Sequence, residues 1–468
     1  MHGNLKELFG FVETPENLVN ELIKMVPPEV FKDESSKWLD PGCGNGAITK
    51  CIVDNLTKEL DKSIDEVCRN NVYMVETNPF FIPTLKAAFG VNANIYNDDF
   101  LLYSPETKFD VIVSNPPYNL NGLKTIPKKR RTTSKWTPIW HSFLNKSLDL
   151  LKEGGYMSII VPASWLKYDE SNMYNTLTQY KIHKMTCYNS YESYKIFSKK
   201  VQIPCTMFVL QKIPTDFVIP IMDNVTEEYV EHRLSVPFRS IPMKNISILN
   251  KLSAYSERYG SLSKYIIVSP LPARKFVFKD ETTLEYCYKN IKSCTLENGV
   301  PEMKYCWSKK PGPFHCLGLP KLVLAHSVYG FPYYDEEGLV GVANRGKFIF
   351  LGNNQYLKHL YVLLNLKTIK FLYTSTQYRM RFLDKSVYDF IPDFSIIPGF
   401  SFQNISDEYF CDFFQLSSVE RKAILETKLY KKEPKIELEV GDLSVLQNPV
   451  QEDEIETNER TERTSPIA

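Results

Sequence analysis

Along the first half of the chain, short apolar runs alternate with stretches whose apolar residues recur every three or four positions. The runs suit strands buried on both faces and the spaced residues suit helices laid over them, so a mostly parallel α/β sheet is predicted. Lys37–Asp40 reads as a strand ending in the turn Pro41-Gly-Cys-Gly-Asn-Gly46. Ala47, Ile48, Cys51, Ile52 and Leu56 then fall at helical spacing. Val72–Glu76 is the next strand, with a helix over Phe80–Phe89 and further strands at Ala93–Tyr96 and Asp110–Ser114. Trp140–Leu151 is amphipathic and is expected to stop at Gly154-Gly155, a helix-ending pair. Tyr156–Val161 and Cys205–Leu210 close this half as buried strands.

Around residues 215–235 the alternation stops. The chain beyond is rich in aromatics and less regular, with turn signals at Ser269-Pro270, Pro311-Gly312-Pro313 and Asn353-Asn354. It reads as an α+β domain. From Lys431 aromatics vanish and polar residues dominate, as in a disordered tail. The expected organisation is therefore a catalytic domain over 1–228, a second domain over 229–430 and a tail over 431–468. A length of 468 residues agrees, since it exceeds what one hydrophobic core usually serves.

Composition changes this picture only a little. No run approaches the ~18 apolar residues of a membrane helix, and Met1–Phe11 lacks a signal-peptide core, so an intracellular protein is expected. The 10 Cys are scattered. Cys287, Cys294, Cys306 and Cys316 do not have the paired spacing of a zinc site, and no metal is predicted. The net charge of +1 conceals a tail of net −4 over 450–468, which leaves a mildly basic body suited to a polyanion.

The turn after the first strand carries candidate chemistry. Its glycines, Gly42 and Gly44 among them, permit positive φ and close approach of a ligand, as in nucleotide-binding βα turns. Asp40 enters that turn. Glu76 closes the second strand, where a carboxylate accepts both ribose hydroxyls. Asn97-Asp98-Asp99-Phe100 follows the third strand. Asp99 can accept from an adenine amino group while Phe100 packs the adenine face, and Asp98 caps a turn. Carboxylates at three successive strand ends point to an adenosine-containing cofactor.

Ser114-Asn115-Pro116-Pro117-Tyr118 follows a fourth strand. Two prolines cannot continue a sheet, so the chain leaves it as a stiff loop with unpaired carbonyls. The Asn115 side-chain oxygen and the Pro116 carbonyl can both accept from one NH2 group. Such acceptors draw an aromatic amino nitrogen towards tetrahedral geometry and stabilise the positive charge that forms there. Tyr118 is placed to stack on the target base.

This motif series resembles that of N6-adenine-specific DNA methyltransferases with gamma-type motif order, of the kind associated with type II restriction-modification. The resemblance is specific over about residues 9–212. It implies a Rossmann-like doubly wound domain that uses S-adenosyl-L-methionine, with Asn115 to Tyr118 as the catalytic motif and Asn115 also at the cofactor. Phe11-Val-Glu-Thr-Pro15 is similar to the family's opening motif, which places Thr14 beside the methionine part of the cofactor. Phe197, just before a buried strand, matches the position that stacks on an everted adenine opposite Tyr118; a core ring is its alternative. The domain over 229–430 stands where the family carries target recognition, with Pro320–Ala325 and Tyr356–Asn365 loosely similar to it.

Residues Leu123–Lys135 put six basic residues beside the catalytic mouth. Lys128, Lys129, Arg130 and Arg131 are expected on the DNA backbone, where contacts are sequence-independent and salt-sensitive. The reading is a monomeric enzyme on double-stranded DNA, with any cognate restriction endonuclease a separate chain, since 229–468 shows no nuclease motif. An RNA adenine methyltransferase and a silent DNA-binding module of the same fold are the rival readings.

Overall fold

The computed structural model describes residues 12–119 and 138–427, apart from 199, 235–238, 270–276, 298–299, 312–317, 325–331, 344–347, 380–382 and 404. The basic run, including Lys128, Lys129, Arg130 and Arg131, lies outside the described residues. So do Pro270, Gly312, Pro313, Cys316 and the tail.

Among the described residues, nine strands form one sheet in the order β3-β2-β1-β4-β5-β7-β6-β8-β9. They are β1 (Trp38–Pro41), β2 (Val72–Val75), β3 (Asn94–Tyr96), β4 (Phe109–Ser114), β5 (Leu151–Pro162), β6 (Tyr180–Tyr188), β7 (Cys205–Pro214), β8 (Val218–Met222) and β9 (Tyr229–Arg233). β1 pairs in parallel with both β2 and β4, and β4 with β5. β7 runs antiparallel to β5 and β6 on either side of it. A parallel sheet with a reversed strand wedged between β5 and β6 is the fold of S-adenosylmethionine-dependent methyltransferases, as the motif series implied; beyond it β8 runs parallel to β6 and β9 antiparallel to β8.

Both faces are covered, which is why the strands read as unbroken apolar runs. On one side helices Glu16–Met25 and Ala47–Leu60 pack Leu18, Leu22, Ile52 and Leu56 against Trp38, Val72 and Val111. On the other, helix Ile139–Leu150 seats Phe143, Leu144 and Leu148 over Ile112 and Met157. The polar Ser158 Oγ donates to the Leu22 carbonyl at 2.7 Å and so pins the first helix to the sheet.

Two predicted boundaries are corrected. Helix Ile139–Leu150 ends before the glycine pair, and β5 begins at once at Leu151 rather than Tyr156. Gly154 and Gly155 lie inside that strand, where the pairing with β4 slips between Phe109 and Val111. A Cβ on Gly155 would stand 2.9 Å from the Asp110 carbonyl, so here glycine allows a bulge and not a stop. β6, unpredicted, also carries a register shift between Ile182 and Lys184, which breaks its period-two pattern.

The sheet runs on through β9. Beyond it come two four-stranded sheets and several helices, the α+β character expected. β10 (Ile266–Val268), β17 (Phe348–Leu351), β14 (Lys321–Leu324) and β15 (Pro332–Asp335) make one; β11 (Phe278–Lys279), β13 (Val300–Ser308), β12 (Tyr288–Glu297) and β16 (Gly341–Val342) make the other. Asn353, read as a turn, caps helix Asn354–Asn365 by accepting from the Tyr356 N–H. This half grips the first directly. The Ile241 N–H donates to the Leu166 carbonyl, with Ile241 held in turn by the Tyr378 hydroxyl on its carbonyl, and Lys167 pairs with Asp384.

Candidate active site

Parallel strands place their carboxyl ends on one edge of the sheet, and the glycine turn, Glu76, Asp99 and the asparagine–proline loop emerge there at the ends of β1 to β4. The glycine turn leaves β1 with Gly42, Gly44 and Gly46 all at positive φ, between 56° and 81°. Gly46 has a packing reason as well, since a Cβ there would meet Leu85 and Phe89 at 2.8 Å. The turn is fixed to β2 by the Gly42 and Cys43 N–H groups, both donating to the Val75 carbonyl.

Beneath it lie two carboxylates. Asp40 is buried and accepts from the Thr49 hydroxyl at 2.6 Å. Glu76 is buried too: one carboxylate oxygen accepts from the Gly44 N–H and the other from the Asn78 N–H, each at 2.7 Å. Loss of hydration raises both pKa values, and Glu76 adds to the effect on Asp40, which is pushed up to about 7. The carboxylate of Asp40 thus binds a proton more tightly folded than unfolded, and stability should fall as pH rises from about 4 to about 7. Asp40→Asn keeps an acceptor for Thr49 and removes that slope. Its melting temperature is expected to exceed that of the unmodified chain by roughly 3–6 °C at pH 8 and to match it at pH 4, as calorimetry at the two pH values would read.

Asn97 and Asn78 were not singled out by the sequence. The Asn97 side chain donates to the Glu76 carbonyl at 2.8 Å, which ties the end of β3 to the end of β2, and Asn78 holds the Glu76 carboxylate. Asx side chains directly after strands were the available signal. Asp99 is exposed and caps its own turn by accepting from the Leu101 N–H. Phe100 turns inward against Phe143, with ring centroids 5.0 Å apart. The apolar side chains that stand in solvent on these same loops are Phe80 and Leu102, 74% and 75% exposed.

The loop after β4 is joined to the glycine turn by one buried contact: the Ser114 hydroxyl donates to the Pro41 carbonyl at 3.0 Å. Asn115 is partly exposed, and its amide nitrogen donates to the Thr14 hydroxyl at 3.0 Å. Pro116 is buried and Pro117 half-buried. The Tyr118 hydroxyl lies 3.5 Å from the Cys205 sulfur. Burial holds that hydroxyl well above its ordinary pKa and pushes the Cys205 thiol up to about 11, so neither supplies an anion at neutral pH. Phe197 ends helix Ser190–Ile196 and is 0% exposed, in the core that also holds Val201 and Cys205. Neither face of its ring is open to a base in this arrangement.

The residues present fit a nucleoside cofactor. Gly42 is exposed on the glycine turn, the Glu76 carboxylate sits behind the turn, and the exposed Asp99 carboxylate stands at the next strand end with one oxygen on the Leu101 N–H. Among the described residues no group of three or more His, Cys, Asp or Glu side chains could hold a metal. None of their helices is long and apolar enough to cross a membrane.

Residues 38–197 match the Eco57I restriction-modification methylase family. The type II methyltransferase M.TthHB8I of Thermus thermophilus is 29% identical over 182 residues, 35% of this chain and 37% of that protein. A tRNA1(Val) (adenine(37)-N6)-methyltransferase of Bacteroides thetaiotaomicron is 37% identical over 133 residues, 26% of this chain and 51% of that protein. The chain thus spans from about a third to about half the length of these relatives. Modification methylase CviBIII of Paramecium bursaria Chlorella virus NC1A is 28% identical over 168 residues, covering 34% of this chain and 35% of that one. The resemblance to restriction-modification methyltransferases is borne out over residues 38–197, which hold the glycine turn, Glu76, Asp99 and the asparagine–proline loop, and S-adenosylmethionine is the cofactor that this fold and these relatives call for.

Proposed function

We propose that the chain is a site-specific DNA adenine methyltransferase that modifies the exocyclic amino group of an everted adenine. The observation that carries this reading is the Ser114–Pro41 hydrogen bond, which sets the amino-acceptor loop against the glycine turn. S-adenosylmethionine, bound on that turn, supplies an electrophilic methyl group. Glu76 and Asp99 orient its ribose and adenine, and Gly42 lets it approach the backbone. Asn115 and the Pro116 carbonyl accept from the target amino group, raise the basicity of its nitrogen and stabilise charge as it becomes bonded to four groups. Tyr118 supports the base on one side. Phe197 serves the other only if the turn after helix Ser190–Ile196 opens. Residues 229–430 are assigned to target recognition, and Lys128, Lys129, Arg130 and Arg131 to the phosphate backbone.

A second reading has its own support: a tRNA adenine methyltransferase is 37% identical to this chain over 133 residues. The purified chain is therefore to be incubated with tritiated S-adenosylmethionine and, separately, unmethylated genomic DNA and total RNA. Label is expected in N6-methyladenine from the DNA. Label confined to RNA would transfer the catalytic reading to that polymer and remove the assignment of 229–430.

A further inference from the structure

An asparagine can assist an aromatic amino group only through its oxygen. Turned by 180°, the same side chain presents an NH2 group to the target nitrogen and opposes the reaction. Which end of Asn115 faces the target therefore matters, and beside it in the described part of its loop Ser114 is engaged with Pro41 and the next two residues are prolines.

A contact comes from 101 residues away. The Asn115 amide nitrogen donates to the Thr14 hydroxyl oxygen at 3.0 Å, and among the described residues the Asn115 oxygen has no hydrogen-bond partner. Thr14 is well placed to be rigid. The following Pro15 restricts its backbone to extended conformations. The Pro15 carbonyl accepts from the Leu18 and Val19 N–H groups and so begins helix Glu16–Met25, whose Leu18 and Leu22 are buried. Its neighbour Glu13 reaches both ways, accepting from Lys200 at 3.2 Å and from Asn45 of the glycine turn at 3.5 Å. The tripeptide Glu13-Thr14-Pro15 thus straps the glycine turn, the Asn115 loop and the turn after Phe197 together. Glu13 is exposed, and its two contacts are worth little alone; the partly buried Thr14–Asn115 bond is the one that engages the amide itself, with its oxygen turned away from Thr14.

We infer that Thr14 is a positioning residue for Asn115, holding the amide so that its oxygen meets the target amino group. This rests on the amino-transfer reading of Asn115 and differs from the role beside the cofactor's methionine that the family resemblance implied. The two roles separate experimentally. Thr14→Val keeps the shape and removes the acceptor, while Thr14→Ser keeps the acceptor. Single-turnover rates on unmethylated genomic DNA and cofactor affinity by calorimetry are to be measured for both. Thr14→Val is expected to slow methyl transfer about tenfold, the scale of one lost hydrogen bond, with the cofactor Kd changed by less than about twofold. Thr14→Ser is expected to restore most of the rate. A Thr14→Val protein that loses cofactor affinity but keeps its saturated rate overturns the proposal, and so does a Thr14→Ser protein as slow as the valine variant. Failure of the amino-transfer reading itself shows elsewhere, as wild-type chain that puts no label into N6-methyladenine.

Discussion

Asn115→Ala is expected to lower the rate of methyl transfer by roughly 10²–10³-fold, the range seen when one preorganised polar contact to a developing charge is removed. The adenine amino nitrogen is a weak nucleophile because its lone pair is shared with the ring. Its attack generates positive charge, and Asn115 and the Pro116 carbonyl are the two acceptors aligned on it. A methyl side chain leaves one of them. The backbone of the loop should persist, because Ser114 remains bonded to Pro41 and the two prolines remain stiff. Affinity for S-adenosylmethionine should change little, since the glycine turn, Glu76 and Asp99 are untouched. Tritium transfer under single-turnover conditions and calorimetric titration of the cofactor read the two quantities separately. Retained turnover would remove Asn115 from the chemistry; a parallel collapse of cofactor affinity would make it part of the cofactor site instead.

The second large effect concerns stability. Lys321 on β14 stands directly opposite Asp335 on β15, and the two form an ion pair at 2.5 Å with both side chains buried. Asp335 also accepts from the Leu339 and Val340 N–H groups, so its carboxylate closes the turn after β15. Removing one member of a buried pair leaves the other charge without compensation, a cost of about 3–5 kcal/mol. Lys321→Met is therefore expected to destabilise the chain by that amount. Lys321→Met combined with Asp335→Asn keeps one acceptor oxygen beside the two N–H groups and removes the stranded charge, and it should recover more than half of the loss. Urea titration of the three proteins makes the comparison. A double variant as unstable as Lys321→Met would show that the lysine matters by packing and not by charge. Because this pair lies in the second half, the single variant also reports whether the catalytic half keeps its cofactor affinity when the other half is weakened.

Much of the catalytic half was legible in advance, for a local reason. Strands buried on both faces must be apolar along their whole length, which exposed β1, β2 and β4 as short runs. The glycines and prolines that end them are demanded by backbone geometry within a few residues. Where pairing is irregular the pattern failed: β6 has a register shift after Ile182, and β5 absorbs two glycines that otherwise read as a helix stop. The site followed the same division. Glycine turn, Glu76, Asp99 and the asparagine–proline loop could be named from their positions at strand ends.

What each of those side chains faces could not. Asp40 is turned to Thr49 and Glu76 to the Gly44 and Asn78 N–H groups, so both carboxylates brace the turn they were read as serving. Phe100 and Phe197 are aromatic rings at the expected places and lie in the core. By itself the sequence determined the sheet's central strands, the order of the motifs and the chemistry of their residue types, because each is written within one turn or one strand. The tertiary structure alone decided that Thr14 meets Asn115, that Lys321 meets Asp335 and that Phe197 is closed off. Those contacts join residues whose separation along the chain carries no periodic signal, and they form only when packing brings their elements together.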